Sequence, residues 1–194
     1  MRTHFALMAI EFTTVTQPRE VELILALQAE NHRDQVDAAT AASDGFTSVR
    51  HDLAVLLAMN RTHPSVIATS DGQLAGYCLM MAQDFRDQVP MLQPMFNLLE
   101  GLHWRGQALA VNPRWFVMGQ VCVARAVRGM GIFDGLYQQL RKAYAPQFDF
   151  TVTEISQRNP RSLRAHRRVG FETLHVYPDP DTGEMWEVVV LDWR

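Results

Sequence analysis

The residues best suited to chemistry lie in one stretch, Val121-Cys122-Val123-Ala124-Arg125-Ala126-Val127-Arg128-Gly129-Met130-Gly131-Ile132-Phe133. An apolar strand runs into a glycine-containing turn, and the turn opens a helix. Glycine has no Cβ, so successive backbone N–H groups can crowd toward one point. The helix start adds N–H donors without intrahelical partners and the positive end of the backbone dipole. Arg125 and Arg128 add charge. Such a turn suits an anion, and a pyrophosphate in particular. It is not a Walker loop, because Gly-Lys-Ser/Thr is absent. Nor does it follow G-x-G-x-x-G, because Asp134 stands after the two glycines and no acid closes a strand at the required distance. The bland alternative is a strand-to-helix turn that uses glycine only for its geometry.

A second stretch, Asn159-Pro160-Arg161-Ser162-Leu163-Arg164-Ala165-His166-Arg167-Arg168-Val169-Gly170-Phe171, reads as a short capped helix. Asn159 suits the N-cap, Pro160 the first helical position and Gly170 the residue past the end. Asn159, Ser162 and His166 fall at i, i+3 and i+7, on one helix face.

Together these stretches resemble the GNAT family of N-acetyltransferases. That family's acetyl-CoA signature is Arg/Gln-x-x-Gly-x-Gly/Ala. Arg128-Gly129-Met130-Gly131-Ile132-Phe133 matches at Arg128 and Gly131 and departs at Phe133. The second stretch matches at Asn159, Ser162, Gly170 and Phe171, with His166 where the family often has Tyr. One helix plus one strand separates the two motifs, as in the family. The resemblance covers residues 110–194 on motifs and 9–82 on element order.

The resemblance implies direct transfer of the acetyl group from acetyl-CoA, as co-substrate, to a primary amine in a ternary complex. Backbone N–H groups of Arg128, Gly129, Met130, Gly131, Ile132 and Phe133 would hold the pyrophosphate. The pantetheine arm would pair with the strand edge at Val121, Cys122 and Val123, as an added strand does. Asn159 and Ser162 would contact the cofactor. They serve equally as an N-cap and a small residue permitting close approach. His166 would protonate the departing thiolate in the Tyr's place, or else pack under the sheet with a satisfied ring. Gln120 cannot be a base but could orient a water or the acceptor. Glu30, Glu100 and Glu154 are candidates for the general base, and Asn31 and His32 for the acceptor site. A catalytically silent acetyl-CoA-binding module is the alternative.

These residues need a frame. A strand over residues 9–15 precedes a helix with Val21, Ile24, Leu25 and Gln28 at helical spacing. A second helix is expected over 48–60. Ser70-Asp71-Gly72-Gln73 between two apolar runs predicts a tight hairpin. Residues 84–114, broken by Pro90, Pro94 and Pro113, read as a long connection with one short helix. This is either an acceptor-site insertion or simple packing. Strands over 115–123 and 148–155 flank a helix over 132–144. Two last strands, over 171–177 and 184–191, surround a Pro-Asp-Gly turn. The strand–helix–strand succession after residue 115 implies a largely parallel region, and the hairpins imply antiparallel pairing elsewhere, so the sheet is mixed. The resemblance implies the α/β fold of the GNAT family: a mixed, mostly antiparallel sheet of six to seven strands with a splayed parallel pair, flanked by about four helices. The whole chain, residues 1–194, reads as one domain.

Composition sets bounds. At 194 residues the chain suits a single core, and 47% apolar with 20% charged residues is ordinary for a soluble globular protein. A net charge of −3 gives nucleic acid or an anionic membrane no global attraction. Arg158, Arg161, Arg164, Arg167 and Arg168 form a basic run. Without a nucleic-acid motif it reads as a solvated face or a contact for the cofactor's 3′-phosphate. No apolar run spans a bilayer and no leader is evident. Cys78 and Cys122 read as buried free thiols of a cytoplasmic protein. The remaining histidines lack metal spacing, so no metal is expected. The partner is a small-molecule or peptide amine, and a homodimer is compatible with the family.

Overall fold

The computed structural model describes residues 9–37, 40 and 43–194. In chain order, and sharing one sheet, come β1 (Ile10–Thr14), β2 (Val66–Ser70), β3 (Gln73–Met81), β6 (Trp115–Val123), β7 (Phe150–Ser156), β8 (Glu172–Pro178) and β9 (Met185–Asp192). A small hairpin, β4 (His103–Trp104) and β5 (Gln107–Ala108), stands apart. The helices are α1 (Pro18–Glu30), α2 (Leu53–Thr62), α3 (Gln93–Glu100), α4 (Ile132–Tyr144) and α5 (Pro160–Arg168).

The sheet order is β1-β2-β3-β6-β7-β9-β8, and every neighbouring pair is antiparallel except β6 and β7. The strand–helix–strand succession after residue 115 predicts a larger parallel region than is found. α5 does lead back to a strand, but β9 inserts between β7 and β8, so that crossover makes no parallel pair. The β2–β3 hairpin turns at Asp71 (φ 49°) and Gly72 (φ 77°), the two positive values that a tight primed turn requires.

Both faces of the sheet are covered. Val21, Ile24 and Leu27 of α1 and Leu56 and Met59 of α2 pack on Tyr77, Leu79, Val117 and Val152. Leu136, Tyr137 and Leu140 of α4 pack on Cys78, Met80, Phe116 and Val189 of the other face. Helix α2 begins at Leu53 and not near residue 48. Asp52 caps it by accepting from the Ala54 and Val55 N–H groups at 2.7 and 3.4 Å, while residues 48–50 stay non-helical. Strand β7 starts at Phe150 and not at residue 148, since the Phe148 N–H still bonds the helix carbonyl of Tyr144.

The connection over 84–114 holds α3 and the small hairpin. Phe85, Leu92, Met95, Phe96, Leu99 and Leu109 are buried in the α1 and α2 side of the core. Packing therefore accounts for most of its apolar weight.

One irregularity shapes the site. β3 and β6 shift register where Leu79 faces Gln120 and Met80 faces Met118, leaving Gly119 as an extra residue. Such a bulge bends its strand. The β6–β7 ladder runs only from Trp115↔Phe150 to Val117↔Val152 and stops one residue short of Met118. Beyond it the parallel pair splays, and a gap opens between Val121 of β6 and Ile155 of β7.

Candidate functional site

The glycine turn sits at one mouth of this gap. Gly129 and Gly131 have φ of +82° and +77°, and a Cβ on either would meet no atom within 4 Å. The backbone thus faces open space at the α4 N-terminus, as an anion cradle requires. Gly131 is the N-cap of α4 in the left-handed conformation, so no side chain covers the helix start. A cleft of about 420 Å³ lies in front, lined by Val121, Cys122, Val123, Arg128, Gly129, Gly131, Ile132, Phe133, Asn159 and Ser162. Arg161, Arg164 and Arg168 line it too.

The edge of β6 toward the gap can be read from its hydrogen bonds. The Ala124 N–H bonds the Ala75 carbonyl on β3 at 2.8 Å. Backbone groups alternate sides along a strand, so Val123 and Val121 turn the other way. The Val123 carbonyl accordingly accepts from Arg128 Nε at 3.1 Å.

Arg128 does not project into the cradle. Its Nη1 donates to Asp44 Oδ2 at 2.9 Å and its Nη2 to Asn31 Oδ1 at 2.7 Å. Asp44 also receives Arg125 Nε at 2.9 Å and stands 3.5 Å from Arg161. The Arg125 and Ser43 hydrogen bonds hold its carboxyl below the usual carboxylate range. Three arginines thus converge on one carboxylate beside the cradle. Asp44 belongs to no motif, and nothing in the sequence signals it.

The second mouth of the gap opens into a cleft of about 470 Å³, whose walls include Met91, Met95, Gln120, Glu154, Tyr177 and Trp186. Phe46, Thr47, Val121, Asn159 and Ser162 line both clefts, which therefore meet across the splay. Of the three candidate bases, Glu154 alone lines either cleft. Glu100 is bound to Arg86 at 2.6 Å on α3. The enclosure of Glu154 on β7 raises its pKa to about 7, assisted by the charge of Asp179 and opposed by a hydrogen bond from the Tyr177 hydroxyl. No motif points to Tyr177, which comes from β8 across the sheet.

His166 is buried, with both ring nitrogens engaged. Nδ1 lies 2.8 Å from the Ser162 carbonyl and Nε2 lies 2.8 Å from the Tyr137 hydroxyl. A carbonyl only accepts, so Nδ1 carries the proton and Nε2 accepts from Tyr137. Phe133 and Phe171 meet the ring edge-on at 5.1 and 4.9 Å. Burial lowers the pKa to about 4, so the ring is neutral near pH 7 and its one proton is held by the helix. The satisfied-ring reading describes this geometry. Asn159 caps α5 through Oδ1, which accepts from the Ser162 N–H at 3.2 Å, and its Nδ2 donates to the Phe46 carbonyl at 3.1 Å.

Gln120 is likewise a bracket. Its Oε1 accepts from Gln28 Nε2 at 2.7 Å and from the Tyr77 hydroxyl at 2.6 Å, and its Nε2 donates to the Val49 carbonyl at 3.0 Å. His32 donates from Nε2 to the Ser48 carbonyl at 3.1 Å at the second cleft. Cys78 and Cys122 are free and buried, and burial pushes the Cys122 thiol up to about 12, which removes it as a nucleophile. Among the described residues no group of three or more His, Cys, Asp or Glu could hold a metal, and no helix is long and apolar enough to cross a membrane.

No family model and no curated protein matches the sequence. Solved structures do match the fold. An acetyltransferase of the GNAT family from Streptococcus agalactiae is 14% identical, covering 95% of this chain and 96% of its own, with a TM-score of 0.62. An N-acetyltransferase from Staphylococcus aureus is 16% identical, covering 95% and 98%, with a TM-score of 0.60. An acetyltransferase from Salmonella typhimurium, solved with its cofactor acetyl-CoA, is 14% identical, covering 95% and 94%, with a TM-score of 0.58. The chain has the GNAT fold.

Proposed function

We propose that this protein is a GNAT-family N-acetyltransferase, folded as a single domain, that passes the acetyl group of acetyl-CoA directly to a primary amine across the β6–β7 gap. One observation carries the reading. The splay has an open glycine cradle at one mouth and a carboxylic acid with pKa about 7 at the other. Acetyl-CoA supplies the activated acetyl thioester. The N–H groups around Gly129–Ile132 suit its pyrophosphate, with Arg161, Arg164 and Arg168 as the cations of the cleft. The edge of β6 beyond the ladder, at Val121 and the Val123 N–H, suits the pantetheine amides, while the Val123 carbonyl is taken by Arg128, and an N–H of that edge suits the developing oxyanion.

An amine arrives as its ammonium and must lose a proton before it attacks. Glu154 lines the acceptor cleft, and burial brings its pKa to about 7, the range in which a general base works well near neutral pH. Attack on the thioester carbon forms the C–N bond and breaks the C–S bond, so CoA leaves as its thiolate, which needs no acid because a thiol pKa lies near 8.5, and the second proton of the attacking nitrogen passes to that thiolate or to water of the open cleft. No acid is therefore required of His166. Its neutral ring joins α5 to α4 and so positions Asn159 and Ser162 at the gap. Gln120 acts likewise, holding β6, α1 and the 46–50 segment in register. The two buried free thiols support a cytoplasmic site of action.

Calorimetric titration with acetyl-CoA, followed by thiol release over a panel of amines, tests the reading. Micromolar binding with release for one amine class supports it. Binding without release for any amine leaves a silent binding module, and no binding overturns it.

A further inference from the structure

The two clefts differ in charge, and the difference bears on which amine the acceptor cleft takes. The donor cleft is lined by four arginines, Arg128, Arg161, Arg164 and Arg168, against Asp44 and Asp134. The acceptor cleft is lined by four acids, Asp34, Glu154, Asp179 and Glu184, against Arg33 and Arg50. Both of these arginines are committed. Arg33 bonds Glu184 at 3.2 Å and Arg50 bonds Asp34 at 3.3 Å. The Arg33 guanidinium also lies over the Phe46 ring, 4.9 Å from its centroid, which fixes its direction. Each guanidinium is thus held beside an acid of the same cleft, which offsets the charge it would offer a ligand carboxylate. The cleft also has apolar lining, Met91, Leu92 and Met95 from the 84–114 connection and Trp186 from β9.

On the reading of the gap as an acetyl-transfer site, we propose that the acceptor is a primary amine carried on an apolar body with no carboxylate beside the nitrogen. The ammonium enters a cleft whose uncompensated charges are negative, so it is attracted and oriented toward Glu154. A carboxylate on the same carbon would be brought toward the same acids. It would lose solvation without gaining the bidentate guanidinium that such recognition uses. The apolar body buries against the methionines and Trp186, where unbranched thioether side chains adapt to its shape. At about 470 Å³ the cleft lies in the range of sites for compact organic molecules. Free amino acids are therefore disfavoured, and aryl- or alkylamines and amide-blocked amines are favoured.

A matched series tests this. 2-Phenylethylamine, L-phenylalaninamide and L-phenylalanine share ring and amine and differ only in the group on the neighbouring carbon. Each is titrated calorimetrically at pH 7, with and without saturating CoA, so that the cleft is read without turnover. We expect L-phenylalanine to bind roughly ten- to a hundred-fold more weakly than the other two, from like charges a few ångströms apart at an effective dielectric near that of a protein surface. Ethanolamine, which has no apolar body, should bind about ten-fold more weakly than 2-phenylethylamine. Met91→Arg adds a guanidinium to the wall at a side chain that is 61% exposed, so folding is unaffected, and it should narrow the gap between L-phenylalanine and 2-phenylethylamine. Equal or tighter binding of L-phenylalanine overturns the proposal, as does equal binding of ethanolamine or failure of all four amines to bind. Failure of acetyl-CoA to bind is read in a separate titration and overturns the transferase reading instead.

Discussion

The Glu154–Tyr177 pair gives the sharpest test of the proposed mechanism. Burial raises the Glu154 pKa to about 7, and the Tyr177 hydroxyl works against that rise by donating to the charged carboxylate. Tyr177→Phe removes that donor and leaves the ring. A hydrogen bond to a charged group is worth about 1.5–3 kcal/mol, and one pKa unit corresponds to about 1.4 kcal/mol. The acid limb of kcat/KM should therefore move up by about one to two pH units. At pH 7 the variant is slow, and at pH 9 it approaches the parent. Glu154→Gln removes the base, so kcat/KM should fall about 10²–10⁴-fold and the limb should vanish. Thiol release between pH 5 and 9 measures both. A Tyr177→Phe limb that stays put or moves down refutes the assignment, as does a surviving limb in Glu154→Gln.

The same acid makes a stability prediction of fixed sign. The folded pKa of about 7 lies above the ordinary 4.5, so between those values the folded chain holds a proton that the unfolded chain has released. The stability Glu154 contributes is thus fully present below about pH 4.5 and is lost as pH rises through about 7. That span corresponds to roughly 3 kcal/mol, and we expect about 1–2 kcal/mol because the carboxylate keeps part of its surface toward the cleft. Glu154→Gln should raise Tm over the parent at pH 8 and leave it nearly equal at pH 5. Equal effects at both values would show that Glu154 ionises freely in the fold.

Further predictions concern the cradle and the helix behind it. Gly131→Glu puts a carboxylate into the open space before the α4 N-terminus, in a left-handed backbone conformation. It should abolish acetyl-CoA binding by calorimetry while circular dichroism shows a folded protein. Asp44→Asn removes the carboxylate that three arginines share beside the cradle. We expect tighter acetyl-CoA binding with a steeper salt dependence, measured at two ionic strengths, and weaker binding would mean that Asp44 organises the cleft instead. His166→Phe leaves the Tyr137 hydroxyl and the Ser162 carbonyl without their partner. It should cost about 1–3 kcal/mol by denaturant unfolding, with the pH profile of the folded enzyme unmoved. Loss of turnover with stability intact would return His166 to the role of acid.

The parts of this protein that were legible in the sequence are those set by local rules. The strand Trp115–Val123, the helix Ile132–Tyr144 and the Asp71-Gly72 turn follow from apolar runs, helical spacing and positive φ. The cradle was visible because glycines and a helix start lie within six residues of each other. The start of α2 was misread because apolar spacing continues upstream of Leu53, whereas the Asp52 cap decides the boundary. Glu154 was one of three equal candidates, since only the sheet brings Tyr177 beside it. The gap itself had a signal. Gly119 interrupts a strand of otherwise larger residues, and a lone glycine inside a strand often marks a bulge.

That bulge explains why residues of catalytic type serve here as structure. A strand that peels from its neighbour gives up ladder hydrogen bonds, so its position must be fixed from elsewhere. Gln120 follows the bulge directly and ties β6 to α1, to β3 and to Val49 through three buried hydrogen bonds. Arg128 holds the strand's end through the Val123 carbonyl, and α5 is pinned to α4 through His166 and Tyr137. Each of these side chains has the chemistry to act on a ligand, and each has that capacity filled by the protein. What the gap keeps for a ligand is the glycine cradle at one mouth and, at the other, the Glu154 carboxyl, whose pKa burial raises to about 7. On the proposed reading, acyl transfer to an amine requires little more: donors aimed at a developing oxyanion, and a base whose pKa lies near neutrality.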